Sequence, residues 1–195
     1  MLEAKNAAKV SDEELIGLIL QDQDNFLYLV DRYKHRLLSY IRRLTNVNNE
    51  DAEDILQEVF IKIYLNLNDF NRDLKFSSWA YRITHNQVIS RHRKLQARPE
   101  GHAVNIEDQA ARRLAAEIDI AAAADLQLLK DHTARILAQL DAKYREILIL
   151  KFWEEKNYQE ISDIIEKPPG TVASTLNKAK QEFKKELARQ QLNLN

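Results

Sequence analysis

The chain has 195 residues, room for one large domain or two small ones, with 30% charged residues, 45% hydrophobic residues and a formal net charge of −1. This is an ordinary soluble balance, and a net charge so close to zero means that any affinity for nucleic acid has to come from local patches. Cysteine is absent, which excludes disulfides and thiolate metal sites and fits a reducing compartment.

With three Gly and three Pro, long uninterrupted helices are expected, and alternating β-branched runs that would build a sheet are missing. The start of the chain carries Glu3, Asp12, Glu13 and Glu14 and lacks an apolar core segment, so no signal peptide is expected. The longest run of purely Leu, Ile and Val residues, Ile147 to Leu150, is far too short to span a bilayer. A cytoplasmic location is the expectation.

Ser11 with Glu14 three residues on reads as a capping box. Phe26, Leu29, Val30, Tyr33, Leu37, Tyr40, Ile41 and Leu44 then recur at helical spacing, predicting a long amphipathic helix to about Leu44. A polar break at 46–49 precedes a second helix over about 51–67. On a helical wheel its inner arc holds Ala52, Leu56, Val59, Phe60, Ile63 and Leu67, with Asp51, Asp54, Gln57 and Glu58 opposite. Ile61 and Leu65 fall among the acids. Apolar residues ringed by charge suit a protein-binding patch, whereas a wide apolar arc packed under the first helix is the alternative.

After a loop over 68–73, a third long helix is predicted from about Lys75 to before Pro99. Leu74 to Arg98 contains no acidic residue yet carries Lys75, Arg82, Arg91, Arg93, Lys94 and Arg98, a local electrostatic footprint. Trp79, Arg82, Asn86 and Arg93 form one stripe at helical spacing. Rings stack on unstacked bases, Asn reads a base edge and Arg holds phosphate, so this stripe suits single-stranded nucleic acid. The alternative places Trp79 in the core and the Arg residues on a solvated face. His85 and His92 have no carboxylate near in sequence to complete a metal site, and no cofactor is expected.

Residues 97–124 lose the pattern and read as a flexible linker with some helical content, between an N-terminal domain at 11–96 and a C-terminal domain at 125–190. Periodicity resumes at Leu126 and runs through Ile136, Leu140, Ile147, Phe152 and Ile161. Pro168 and Pro169 cannot continue the helix that ends near Ile165, Gly170 offers conformational freedom, and Thr171 is placed to cap the next helix. In that last helix Val172, Leu176, Ala179 and Phe183 face inward. Ser174, Thr175, Asn177 and Lys178, with Lys180 behind, suit a helix entering a major groove. A helical corner with a solvated, lysine-rich face is the alternative. The whole is all-α, two small helical domains, the second ending in a helix-turn-helix.

Three segments together, "DAEDILQEVFIKIY", "FSSWAYRITHNQVISRHRK" and "YQEISDIIEKPPGTVASTLNKAKQEF", resemble an extracytoplasmic-function (ECF, group 4) sigma factor in order and spacing, over nearly the whole chain from about Asn25 to Leu187. The resemblance implies an alternative sigma factor without catalytic chemistry of its own. It implies that the first domain binds the β′ clamp helices of RNA polymerase core and melts the promoter −10 element, and that the second binds the −35 element and the β flap. By this resemblance Asp51, Asp54, Gln57 and Glu58 match the polymerase-binding segment. Phe70 and Asn71 lie in the loop that helps hold a flipped base, with Asn86 beside it, and Arg91, Arg93 and Lys94 form the basic end of the −10 helix. Ser174, Thr175, Asn177 and Lys178 match the −35 reading positions. Where the family usually has basic residues, this chain has Ala173 and Thr175, and Lys178 and Lys180 stand in place of Arg. Lysine is a point charge and cannot fork onto guanine as arginine does. A membrane-anchored anti-sigma factor is expected from the resemblance alone. Two rival readings share parts of the pattern. A two-domain helix-turn-helix regulator leaves the Trp79–Arg93 stripe unexplained, and a helical protein-binding adaptor does not call for an acid-free basic helix.

Overall fold

The computed structural model describes residues 9–45, 47–95, 108–117 and 126–192, and no strand occurs among them. The side chains of 92–95, 108–109, 116, 126–132 and 191–192 lie outside that description. Two compact units divide the chain: Met1–Ile41, Asn48–Pro99 and Asp163–Ile165 form one, and Arg42–Val47, Glu100–Ser162 and Glu166–Asn195 the other.

The first unit opens with α1 (Asp12–Gln21), whose capping box forms as expected: the Glu14 amide donates to Ser11 Oγ at 3.1 Å and the Ser11 amide to Glu14 Oε2 at 2.8 Å. The helix stops at Asp22, and a short 3-10 turn (Gln23–Asn25) leads into α2 (Phe26–Leu44). Asn25 fixes this corner from inside: its buried Nδ2 donates to the carbonyls of Leu18 and Asp22. Then come α3 (Asn49–Leu65), capped by Asn48 Oδ1 at 2.8 Å from the Asp51 amide, a second 3-10 turn (Leu67–Asp69) and α4 (Phe76–Leu95).

Leu15, Ile19, Leu29, Leu37, Ile55 and Ile63 are fully or almost fully buried in this unit. Each such side chain contributes about 1.5–3 kcal/mol, whereas the exposed Lys34–Asp31 pair is worth about 0–1 kcal/mol, so packing holds the unit together. The inner arc of α3 is turned from the expected one: Ile55 is buried, while Leu56 and Phe60 are half-buried. Asp12 ties α1 to α2 through polar bonds. The Tyr33 hydroxyl donates to Asp12 Oδ2, and Arg32 pairs with Asp12 Oδ1 at 2.6 Å. Burial, with the Asp12 hydrogen bond second, pushes the Tyr33 hydroxyl well above the usual phenol range, so it stays protonated.

The second unit contains α5 (Asp108–Glu117), α6 (Leu126–Gln139), α7 (Ala142–Leu148), a π-helical turn (Ile149–Trp153), α8 (Tyr158–Ile165) and α9 (Pro169–Leu192), with Asp163–Ile165 of α8 grouped in the first unit. The stretch read as a linker is thus described only at α5, where it is an ordered helix that packs on α6 and the π turn through Ala110, Ala111 and Leu114. The π turn lets Ile149, Leu150, Phe152 and Trp153 all point inward, and the Glu154 amide closes it on the Ile149 carbonyl at 3.0 Å. Arg145 caps the end of α6. Its Nε donates to Leu137 O at 2.7 Å and its Nη2 to Ala138 O at 2.7 Å and Leu140 O at 3.2 Å. Burial lowers the pKa of its guanidinium from the ordinary arginine value.

The turn before α9 differs in detail from expectation. Gly170 has no positive φ and Thr171 is not the cap, because α9 already starts at Pro169, with the Val172 amide donating to Pro168 O at 3.0 Å. Proline at a first helical position sacrifices only an amide that would be orphaned anyway. The left-handed residue is Glu166, at φ 54° and ψ 46°, which ends α8. Ser162 Oγ donates to Lys167 O at 2.6 Å and braces the turn.

Candidate nucleic-acid and protein interfaces

On α3, Asp54, Gln57, Ile61 and Leu65 all lie at the surface and Asp51 is half-buried. Ile61 is 58% exposed and Leu65 68%, so neither packs under another helix of the unit. Sequence reasoning missed the neighbours that widen this apolar strip. Leu20 of α1 and Tyr64 are also exposed and line, with Gln23, Leu65 and Asn68, a groove of about 230 Å³. Tyr64 donates its hydroxyl to Gln23 Oε1 at 2.7 Å, a bond between two residues of the groove wall. The missed signal was the apolar Leu20 at the very end of α1, next to a polar corner.

Glu58, three residues before Ile61, is engaged by α4. One oxygen takes Arg91 Nη2 at 2.9 Å, and the other accepts from Gln87 Nε2, whose own Oε1 receives Lys62 Nζ at 2.5 Å. A residue read as facing polymerase is therefore tied to α4, and Arg91, read as facing DNA, is paired with it. The side chains of Arg93 and Lys94 lie outside the described residues.

An open cleft of about 350 Å³ lies between α3, the following 3-10 turn and α4, lined by Lys62, Asn66, Asp69, Trp79, Ile83 and Asn86. That is the small end of the range occupied by ligand pockets. Trp79 is half-buried, Asn86 is exposed, and Asn66 Nδ2 is anchored to Lys62 O at 2.8 Å. Trp79 and Asn86, placed together by spacing, do meet at this cleft. Arg82 is half-buried and is not among its lining residues. Phe70 is 6% exposed, its ring packed on Phe76 at 5.6 Å and Trp79 at 5.2 Å between centroids, so it supports the wall from behind. Asn71 is at the surface, but its Oδ1 accepts from the Asp73 amide at 2.9 Å and shapes the loop. Lys62, Asn66 and Asp69 were not anticipated. Lys62 and Asn66 are one helical turn apart at the end of α3, a hint visible only once α3 is known to end beside Trp79.

On α9, Val172, Leu176, Ala179 and Phe183 are buried as expected, and Thr171, Ser174, Asn177 and Lys178 are exposed. Thr175 is half-buried on the flank. Ser174 donates its hydroxyl to Thr171 O at 3.0 Å, which uses its proton and leaves its oxygen as an acceptor. Lys180 is not free for a phosphate: its Nζ pairs with Glu117 of α5 at 2.9 Å and its side chain is 20% exposed.

Solved structures share this fold. CnrH in complex with the cytosolic domain of CnrY aligns with a TM-score of 0.66 at 21% identity, covering 91% of this chain and 97% of that one. The sigma factor RpoE in complex with the anti-sigma factor NepR from Bartonella quintana aligns with a TM-score of 0.61 at 19% identity, covering 84% of this chain and 97% of that one. Family models match in two places, Sigma-70 region 2 over residues 29–98 and Sigma-70, region 4 over residues 133–183. The chain is 33% identical over 174 residues to the ECF RNA polymerase sigma factor SigW of Bacillus subtilis (strain 168), covering 85% of this chain and 90% of SigW. It is 30% identical over 178 residues to the ECF RNA polymerase sigma-E factor of Escherichia coli (strain K12), covering 89% and 92%. A regulator or an adaptor is not favoured by these matches: the chain belongs to the ECF RNA polymerase sigma factors, alternative sigma factors that direct transcription initiation.

Proposed function

We propose a division of labour among the three surfaces. The exposed strip of α3, with Asp51, Asp54, Gln57, Ile61 and Leu65 joined by Leu20 and Tyr64, binds the β′ clamp helices of RNA polymerase core. The cleft at Trp79 and Asn86 receives an unstacked base of the −10 element, and Lys62, Asn66 and Asp69 complete it. The outer face of α9, from Thr171 to Lys178, reads the −35 element as duplex, and the second domain also meets the β flap. The domain limits 11–96 and 125–190 describe the two working modules. Two neighbours of similar fold are complexes, one with the cytosolic domain of CnrY and one with the anti-sigma factor NepR, which supports an anti-sigma partner for this chain as well. Such a protein works in the cytoplasm and carries no catalytic chemistry of its own.

The cleft is the observation that carries the −10 assignment. An aromatic ring beside two amides and a carboxylate suits a base far better than a protein side chain, because the ring gives stacking and the polar groups match a Watson–Crick edge. Asn86→Ala and Asn66→Ala leave the buried core untouched. Each is expected to lower open-complex formation by holoenzyme about 5- to 150-fold, the range that 1–3 kcal/mol of base contact implies, with core binding unchanged. The measurement is permanganate reactivity of the melted strand. Normal melting in both variants would end this assignment.

A further inference from the structure

The helix α5, read from sequence as part of a linker, is docked on the second unit at three points. Ala110, Ala111 and Leu114 are buried against it. Arg113 Nη2 donates to Phe152 O at 2.7 Å, the carbonyl at the π turn, while Nη1 pairs with Glu155 at 2.5 Å. At the far end of α5, Glu117 Oε1 takes Lys180 Nζ at 2.9 Å. Lys180 sits three residues after Asn177 and seven after Ala173, along one edge of the outer face of α9.

We propose that α5 is a built-in competitor of duplex DNA for the reading helix: its Glu117 carboxylate holds Lys180 in place of a backbone phosphate, and α5 must undock before Lys180 can take part in −35 binding. This rests on the assignment of the outer face of α9 to duplex DNA. A phosphate on Lys180 and the Glu117 carboxylate cannot share the ammonium without lying close together, and like charges at such distance repel. The docking is weak enough to reverse. Its apolar stripe is two alanines and one leucine, and of the two Arg113 bonds the ion pair with Glu155 is well exposed and adds little, which leaves the bond to the Phe152 carbonyl as the main polar hold. A segment held this way lowers apparent duplex affinity by the fraction of molecules in which it is docked.

The experiment uses the full chain and a labelled mixed-sequence duplex of about 25 base pairs, titrated by fluorescence anisotropy between about 50 and 200 mM salt. Three variants separate the outcomes. Glu117→Gln is expected to tighten binding about five- to tenfold and to steepen the log–log salt slope by about 0.9, as one more phosphate contact becomes available. In a Lys180→Ala background the same substitution is expected to change nothing. Arg113→Ala removes a positive charge, so simple electrostatics predicts weaker binding, whereas release of α5 predicts tighter binding, with faster hydrogen exchange in 108–117. Circular dichroism checks that each variant remains helical, and Glu117→Gln alters only an exposed terminal residue of α5. If Glu117→Gln and Arg113→Ala both fail to tighten binding while Lys178→Ala weakens it, the competitor role of α5 is wrong and the reading face stands. If Lys178→Ala and Asn177→Ala also leave affinity and slope unchanged, the reading face itself is wrong.

Discussion

Glu166, which ends α8, holds a left-handed backbone at φ 54° and ψ 46°. An L-residue in the left-handed region costs about 1–2 kcal/mol, while glycine there has no steric penalty and loses about 0.5–1 kcal/mol through greater freedom in the unfolded chain. Glu166→Gly is therefore expected to stabilise the second unit by roughly 0.5–1 kcal/mol. A rise in urea midpoint at unchanged m-value checks it, and a fall would show that contacts of the Glu166 side chain outweigh backbone strain. Other single residues were also hard to place from sequence. Glu58 lies on the polar side of the α3 wheel, but a wheel cannot tell solvent from the polar flank of a neighbouring helix, and Gln87 and Arg91 wait there. Phe70 was assigned to a base pocket by similarity alone. No periodic pattern exists in a six-residue loop to reveal that its ring turns inward to Phe76 and Trp79.

Helices were legible where apolar residues recur strongly and caps are explicit. Ser11 with Glu14 marks the start of α1, and the spacing of Leu29, Tyr33, Leu37 and Tyr40 reports the buried face of α2. The helix α5 was not legible as a packed element because two alanines and a leucine make too thin a stripe. The π turn was invisible for the opposite reason. Ile147 to Trp153 is apolar at nearly every position, so no period distinguishes an α turn from a wider one. Between those elements Arg145 does what no hydrophobic pattern can signal, closing the end of α6 with bonds to Leu137, Ala138 and Leu140. Arg145→Met keeps much of the volume and removes the donors. Leaving those carbonyls without a charged partner is expected to cost on the order of 3 kcal/mol. Trp153 is buried in the second unit, so its fluorescence in a Trp79→Phe background follows that unit's urea transition. An unmoved midpoint would mean that water caps α6 equally well.

At the scale of the molecule, a net charge of −1 gives no general attraction to DNA, so specificity and affinity have to come from separate local surfaces. Each unit has its own buried core, and the exposed strip of α3 and the outer face of α9 belong to different units. Substitutions on surfaces that share no partner add within about 0.5 kcal/mol. Asp54 is the right probe of the first surface, because it is exposed, whereas reversing Glu58 would also break its bonds to Gln87 and Arg91. Asp54→Lys is expected to weaken core polymerase binding by about 2–5 kcal/mol and to leave the free chain's duplex affinity within about 0.5 kcal/mol of its starting value. Asn177→Ala is expected to do the reverse, losing about 1–3 kcal/mol at one −35 position with core affinity intact. Core binding by labelled-chain titration and duplex binding by anisotropy, measured on both single variants and the double variant, test this separation. Additive losses confirm two independent surfaces. A loss of duplex affinity in Asp54→Lys, or of core affinity in Asn177→Ala, means that the strip on α3 and the face of α9 are energetically coupled and cannot be treated as separate modules.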